Sequence, residues 1–483
     1  MAFIDGTVVN VALPALQMNL GGTVTDMQWV VESYALLLSA LILVGGSMGD
    51  LFGRRRMFLS GVAVFAIASA GCGLAPTIRQ LMIARAVQGV GAAFLVPGSL
   101  SIISASFSDK QRGRAIGTWS GFTSITAAMG PVLGGWLIEH GSWRWVFFIN
   151  VPIAAAVILL SLWRVPESRI DAEGGVDWGG ALIVTTGLAG VTYGFIESSD
   201  LGWRNPFVWG SLAVGCACLI VFYYFEARAD SPMVPIGLFR SNDFTGANLL
   251  TLFLYAALGI FFFLFPLNLI QVQHYSATAT GAAALPLILL LFALSRWSGG
   301  LVARYGARRP LIIGPIIAAA GFLLFAVPSA GSSYWRTFFP AFVVLGFGMA
   351  VSVAPLTTVV MGTVDQSRAG TASGINNAVA RVAALLAVAI LGIVMVSAFS
   401  YRMNQSLKQL NIPADVARAL QSNEIKLAAL PVPSGTDSST TAALQTSIDG
   451  AFVSGFRLVM LICAGLAVAS AAFAWRMITM RTT

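Results

Sequence analysis

Runs of about twenty apolar residues, each closed by a short polar stretch, fill most of the chain. Fourteen can be marked: 1–20, 29–49, 57–75, 81–104, 115–138, 146–163, 180–196, 207–225, 244–270, 281–302, 311–327, 338–361, 370–399 and 451–477. Each is long enough to cross a bilayer as a helix. The pattern therefore predicts an all-α polytopic membrane protein. An even number of spans puts both termini on one side.

Basic residues decide which side. Loops after even-numbered runs carry Arg54, Arg55, Arg56, Lys110, Arg112, Arg114, Arg164, Arg169, Arg228, Arg240, Arg304, Arg308, Arg309 and Arg368, and Arg476 and Arg481 follow the last run. The other side holds about half as many, namely Arg79, Arg144, Arg204, Arg336, Arg402, Lys408, Arg418 and Lys426. Cytoplasmic loops attract the positive excess, so both termini are expected in the cytoplasm. The location expected is the cell (inner) membrane.

Composition agrees. The 483 residues are 57% hydrophobic and 10% charged. Soluble domains carry about 25% charged residues, so this chain could not cover a water-facing surface. Mean hydropathy is +0.82. No basic segment precedes the first run, so no cleavable signal peptide is read. The net charge of +8 would suggest nucleic acid in a soluble protein. Here the charges cluster in short loops, and topology explains them. The four cysteines, Cys72, Cys216, Cys218 and Cys463, lie in apolar runs and read as packing. His140 and His274 fall in predicted loops, and no metal site or cofactor is expected. There is no phosphate-binding loop and no nucleophile–base pair, which argues against ATP drive and against an enzyme.

Residues 401–450 form the one sizeable polar segment. Its first half reads as one or two short helices and 431–441 as a linker, together a surface excursion.

An internal repeat divides the chain. The glycines of Gly46 to Gly53 return in Gly299 to Gly306, with Ala303 in the place of Asp50. Gly89-x-Gly91 returns as Gly346-x-Gly348, and Gly113-x-Ala115-x-Gly117 as Gly370-x-Ala372-x-Gly374. Such repeats build two bundles with a pathway between them. The expected division is 1–163, a six-helix bundle; 164–243, a linker with two extra spans; and 244–483, a second six-helix bundle.

Four motifs stand in order: Asp5 to Pro14, Gly46 to Arg56, Arg85 to Ala93 and Gly130 to Gly135. On these the chain resembles the fourteen-span drug/proton antiporters of the major facilitator superfamily along nearly its whole length. The resemblance implies a major facilitator fold and proton-coupled export of amphipathic compounds by alternating access. A dedicated exporter of one metabolite, or an importing symporter, would share that fold. The implied partners are a small-molecule substrate, protons and lipid, with a periplasmic adaptor left open and no nucleic acid.

The residues permit roles for each motif. Asp5, with only four residues before it, is the acid placed in the first span; Arg85 is a charge inside the fourth. A charge at mid-membrane costs about 2.5–3.5 kcal/mol on insertion scales, so it faces a cavity or a partner. A carboxyl that alternates between dry and arginine-paired surroundings can take up and release a proton. The resemblance gives Asp5 and Arg85 that role. Glu32, three residues after Trp29, is a second protonatable site or a receptor for cations, against a water-exposed acid; Trp29 reads as an interface anchor. Gly46, Asp50, Gly53, Arg54 and Arg55 imply a cytoplasmic gate latch, with Asp50 pairing across the bundle. Gly130, Pro131, Gly134 and Gly135 mark exporters within that family, and their spacing lets helices touch. Asn10, Gln88, Asn376, Asn377 and Arg381 are further pathway candidates. Phe253, Phe261–Phe263 and Phe265 are expected to face lipid rather than a substrate pocket.

Overall fold

The computed structural model describes all residues except 108, 170–175, 230–231, 364–368, 411, 413, 422, 432–437 and 480–483. Arg368 and Arg481 lie outside the described residues. So do the side chains of Lys110, Arg112, Arg114, Gly113 and Gly117.

The described residues form helices and no strand. In order these are α1 (Ala2–Leu20), α2 (Val24–Phe52), α3 (Arg54–Leu74), α4 (Ile78–Ser106), α5 (Asp109–His140), α6 (Trp145–Phe148), α7 (Asn150–Arg164), α8 (Trp178–Leu201) and α9 (Pro206–Glu226). Then follow α10 (Asn242–Leu267), α11 (Ala277–Ala283), α12 (Leu285–Gly299), α13 (Leu301–Tyr305), α14 (Arg308–Phe325), α15 (Phe339–Gly362), α16 (Ala369–Gln409), α17 (Ala414–Gln421) and α18 (Ser438–Met477). Twelve of the helical segments are long and apolar enough to cross a membrane. The segments matching the first and fifth apolar runs, α1 and α5, are not among the twelve.

Local chemistry sets where many of these helices begin. The hydroxyls of Thr23, Thr77, Ser241 and Ser276 and the side-chain oxygens of Asp177 and Asn205 each accept a backbone N–H in the first turn that follows. A helix start leaves such donors without a carbonyl partner, and these residue types supply one. Thr23 and Asp26 cap each other reciprocally.

Three expectations need correction. The run at 281–302 is divided at Ala284 and Gly300, so α11, α12 and α13 replace one helix. The run at 146–163 is divided at Ile149. The polar segment 401–450 is mostly helix: α16 extends to Gln409 and α18 begins at Ser438, well before the apolar residues that mark the last run. Helices can project polar turns beyond a membrane, so hydropathy alone placed both boundaries too near the core.

Helices α2, α3 and α4 pack together, as do α12, α14 and α15. The repeated glycines occupy matching contacts. A Cβ on Gly89 would strike Tyr34 of α2, and one on Gly346 would strike Leu287 of α12. A Cβ on Gly91 would strike Phe65 of α3, and one on Gly348 would strike Ala318 of α14. Only glycine permits both helices to approach this closely. Helix α8 pairs with α9 and also packs on α2 and α16, so the inserted pair touches both repeats.

The chain runs back and forth between two ends. One, the basic end, carries Arg54–Arg56, Arg164 and Arg308. The opposite end carries the turns after α1 and α8 and the segment between α16 and α18.

Candidate functional site

Asp5 and Arg85 meet in a closed polar network inside the first repeat. They are 0% and 1% exposed. An Arg85 Nη1 N–H donates to Asp5 Oδ2 at 2.5 Å and to Gln88 Oε1 at 2.7 Å. Gln88 Nε2 donates to the other Asp5 oxygen at 2.9 Å. Asn150 Nδ2 donates to that oxygen at 3.4 Å and to Ser69 Oγ at 3.1 Å. Arg85 Nε donates to the Val30 carbonyl at 3.1 Å, and its guanidinium lies 4.2 Å from the Tyr34 ring centroid. Helices α1, α2, α3, α4 and α7 thus each contribute to one buried ion pair. Such a pair is held by the hydrogen bonds that surround it, and here both Asp5 oxygens and the Arg85 Nε and Nη1 groups are bonded, while Asn150 Oδ1 is left without a partner.

Asp5, in the first turn of α1, is thus enclosed by side chains from four other helices. Gln88 joins Asp5 and Arg85. Asn10 makes no hydrogen bond to them. Asn150 and Ser69 were not foreseen; each is a polar residue within an apolar stretch of its helix, which is the one available signal.

Glu32 is also buried, at 1% exposure, but it stands apart from this network. Its Oε2 has no partner. It is not water-exposed. The indole N–H of Trp29 donates to Glu197 of α8 at 2.8 Å, and its ring lies against Tyr193.

The gate motif is held locally. Arg54 pairs with Asp50 at 2.8 Å, one turn away, with Asp50 37% exposed. Asp50 thus has a cation one turn away within its own motif; a partly exposed pair of this kind contributes about 0–1 kcal/mol. Gly53, at φ +107, turns the chain between α2 and α3. Glu167, from the segment after α7, accepts from the backbone N–H groups of Arg55 and Arg56 at 3.0 and 3.1 Å. A carboxylate at a helix amino terminus satisfies donors that the helix leaves open. Glu167 was missed because its partners lie more than a hundred residues earlier.

The glycine–proline stretch of α5 faces two helices. A Cβ on Gly130 or Gly134 would collide with α1, at Thr7 or Val8. A Cβ on Gly135 would enter the Ala277 backbone of α11, and one on Gly281 of α11 would enter the Pro131 backbone. The motif is thus a close seam between the repeats near the opposite end. Glu139 and Thr278 bridge the same seam by a hydrogen bond.

These features sit on a chain whose residues 1–388 match the family model described as Major Facilitator Superfamily. The chain belongs to the major facilitator superfamily. It is similar to the multidrug resistance protein Stp of Mycobacterium tuberculosis, 35% identical over 86% of this chain and 78% of that protein. It is 30% identical to the tetracenomycin C resistance and export protein of Streptomyces glaucescens, over 98% of this chain and 88% of that one. A solved bacterial homologue of the human lysosomal transporter Spinster shares the fold, with a TM-score of 0.65 and 19% identity over 98% and 93% of the two chains. Like the rest of the superfamily, this chain is a membrane transporter and not an enzyme.

In this major facilitator chain the second repeat is built differently. Phe261, Phe263 and Phe265 are at most 2% exposed, so they do not face lipid as expected. Phe261 and Phe265 stack with Phe325 and Phe342 in the core. Phe253 stacks on Phe473. Asn376 donates to Asn248 at 3.1 Å and Thr251 at 2.7 Å, tying α16 to α10. Asn377 is exposed and bonds its own helix. Arg381 lies near Tyr34, across the repeats.

The segment between α16 and α18 is no loose excursion. Gln17 of α1 donates to the Lys426 carbonyl at 3.1 Å and accepts from Gln271 at 2.9 Å. Leu420, Leu427 and Leu430 are buried with the main core. The segment caps the opposite end over both repeats.

Proposed function

We propose that the chain is a proton-coupled exporter of amphipathic small molecules, working by alternating access between two six-helix bundles. On this reading α1 and α5 complete a set of fourteen spans, with α8 and α9 as the additional pair. The basic end and both termini face the cytoplasm, and the protein resides in the inner membrane.

The buried Asp5–Arg85–Gln88–Asn150 network carries the proposal. Protonating Asp5 would cancel its charge and leave the Arg85 charge unmatched in a dry site. The two protonation states therefore favour different arrangements of α1, α2 and α4, as coupling requires. Export rather than import is supported by the relatives, which are named for resistance and export, and by the α5 seam.

The test is compound-driven proton release from acidified inside-out vesicles, with Asp5→Asn beside wild type. Release is expected from wild type and background from the variant. Full activity of Asp5→Asn would remove Asp5 from coupling. A second reading, export of one dedicated compound, is favoured by the relative named for tetracenomycin C, which the chain matches nearly end to end. A response to one chemical class across a broad panel supports that reading.

A further inference from the structure

Arg381 is a half-buried cation that the proton site does not use. It belongs to a stripe of α16 that meets α2 where the repeats join. Gly374 of this stripe faces Leu43, Ala378 packs on the Tyr34–Leu38 cluster, and Leu385 packs with Leu36. Arg381 falls between Ala378 and Leu385 at the same helical spacing. Its Nε is buried without a hydrogen-bond partner, while the side chain as a whole keeps partial access. Among the described residues Tyr34 is the titratable side chain that acts on it electrostatically. Asn376, bonded to Asn248 and Thr251, holds this part of α16 against α10.

Tyr34 consequently feels two guanidinium groups. Arg85 is matched by Asp5. For Arg381 no carboxylate partner is found among the described residues. An intramembrane arginine without a partner is costly, and such residues face the route of a ligand. Its planar fork suits an oxyanion.

We infer that Arg381 receives an acidic group of the exported compound, so that the substrates include amphipathic oxyanions such as aromatic carboxylates. This rests on the transport reading above and names a substrate class for it.

The test is equilibrium binding in zwitterionic lipid nanodiscs, with empty discs subtracted. The probes are 1-pyrenebutyrate and its uncharged amide, at one pH and without a gradient. Wild type is expected to bind the acid at least about tenfold more tightly than the amide, the scale of a paired group against its analogue. Arg381→Gln removes that preference and leaves amide binding unchanged, which a merely structural role would not do. Arg381→Lys, which keeps the charge but not the fork, retains part of it. Equal wild-type binding of acid and amide overturns the inference without recourse to any variant. So does a preference that survives Arg381→Gln. Asp5 and the gradient are untouched, so failure here leaves proton-coupled export standing; loss of coupling in Asp5→Asn with the preference intact does the reverse.

Discussion

Arg85 and Phe342 stand at matched places, each four residues before the glycine pair that the repeats share. The glycines make equivalent helix contacts. The side chains above them do not. Around Arg85 every bond is directional: Asp5, Gln88 and the Val30 carbonyl fix one geometry. Around Phe342 the partners are Phe261, Phe265 and Phe325, held by area and ring orientation. One scaffold thus carries a buried ion pair in its first copy and, at the matching level of its second, an apolar aromatic core. The backbone spacing supplies the fold, and the side chains at one level decide which half buries an ion pair there.

The sharpest break of this contrast is Arg85→Met. It leaves the Asp5 carboxylate buried without its cation, at a cost of about 3–5 kcal/mol. A large fall in folded yield and melting temperature is expected. Asp5→Asn combined with Arg85→Met should recover most of that stability, because no buried charge remains, and should still not export. If the double variant is as unstable as the single one, the ion pair is not what the first half depends on.

Phe342→Leu probes the other half. It removes ring contacts from a packed aromatic core and should cost about 1–2 kcal/mol by thermal unfolding. The pH dependence of export should keep its wild-type midpoint, since no titrating group lies in that cluster. A shifted midpoint would mean the halves are not divided as argued.

Gly135→Val acts on the seam between the halves. Its side chain would enter the α11 backbone, yet the collision is relieved when α5 and α11 part. Stability should change by less than about 1 kcal/mol. Spin labels at the ends of α5 and α11 should report a longer distance, and export should fall. An unchanged distance would show that the seam has slack.

Much of this was legible in the chain. Apolar runs located the helices because the lipid-facing requirement acts on every residue of a span. Glycine spacing exposed the repeat because close helix contact tolerates nothing larger. Asp5 and Arg85 were recognisable through their motifs. Their partners were not: Asn150 lies 145 residues from Asp5, and no local period records that distance. The pairing of Asp50 with Arg54 was not read in advance, because a gate motif does not say which neighbours its acid will take. Phe261 and Phe265 were assigned to lipid because buried and lipid-facing aromatics look alike in composition. Residues 401–450 were read by polarity, which misses a cap whose few leucines do the packing.

That cap offers the mildest test, and one confined to the opposite end. Glu424 sits in the turn Glu424–Ala429 and accepts from Asn404 Nδ2 at 3.1 Å. Burial pushes its carboxyl above the ordinary value, and the hydrogen bonds from Asn404 and Ser400 oppose this more weakly. The closed cap therefore binds the Glu424 proton more tightly than an opened one. Closure is strongest below the ordinary carboxyl range and loses that contribution as pH rises through the raised value. Hydrogen exchange at Leu427 and Ala428, corrected for its intrinsic pH dependence, should report more frequent opening at the upper end of this window. Glu424→Gln keeps an acceptor oxygen for Asn404 and carries no charge at any pH, so its opening should not vary across the window. If wild type and Glu424→Gln open alike at every pH, the cap is held by Leu427, Leu430 and the Gln17 contact alone, and charge at that end plays no part in it.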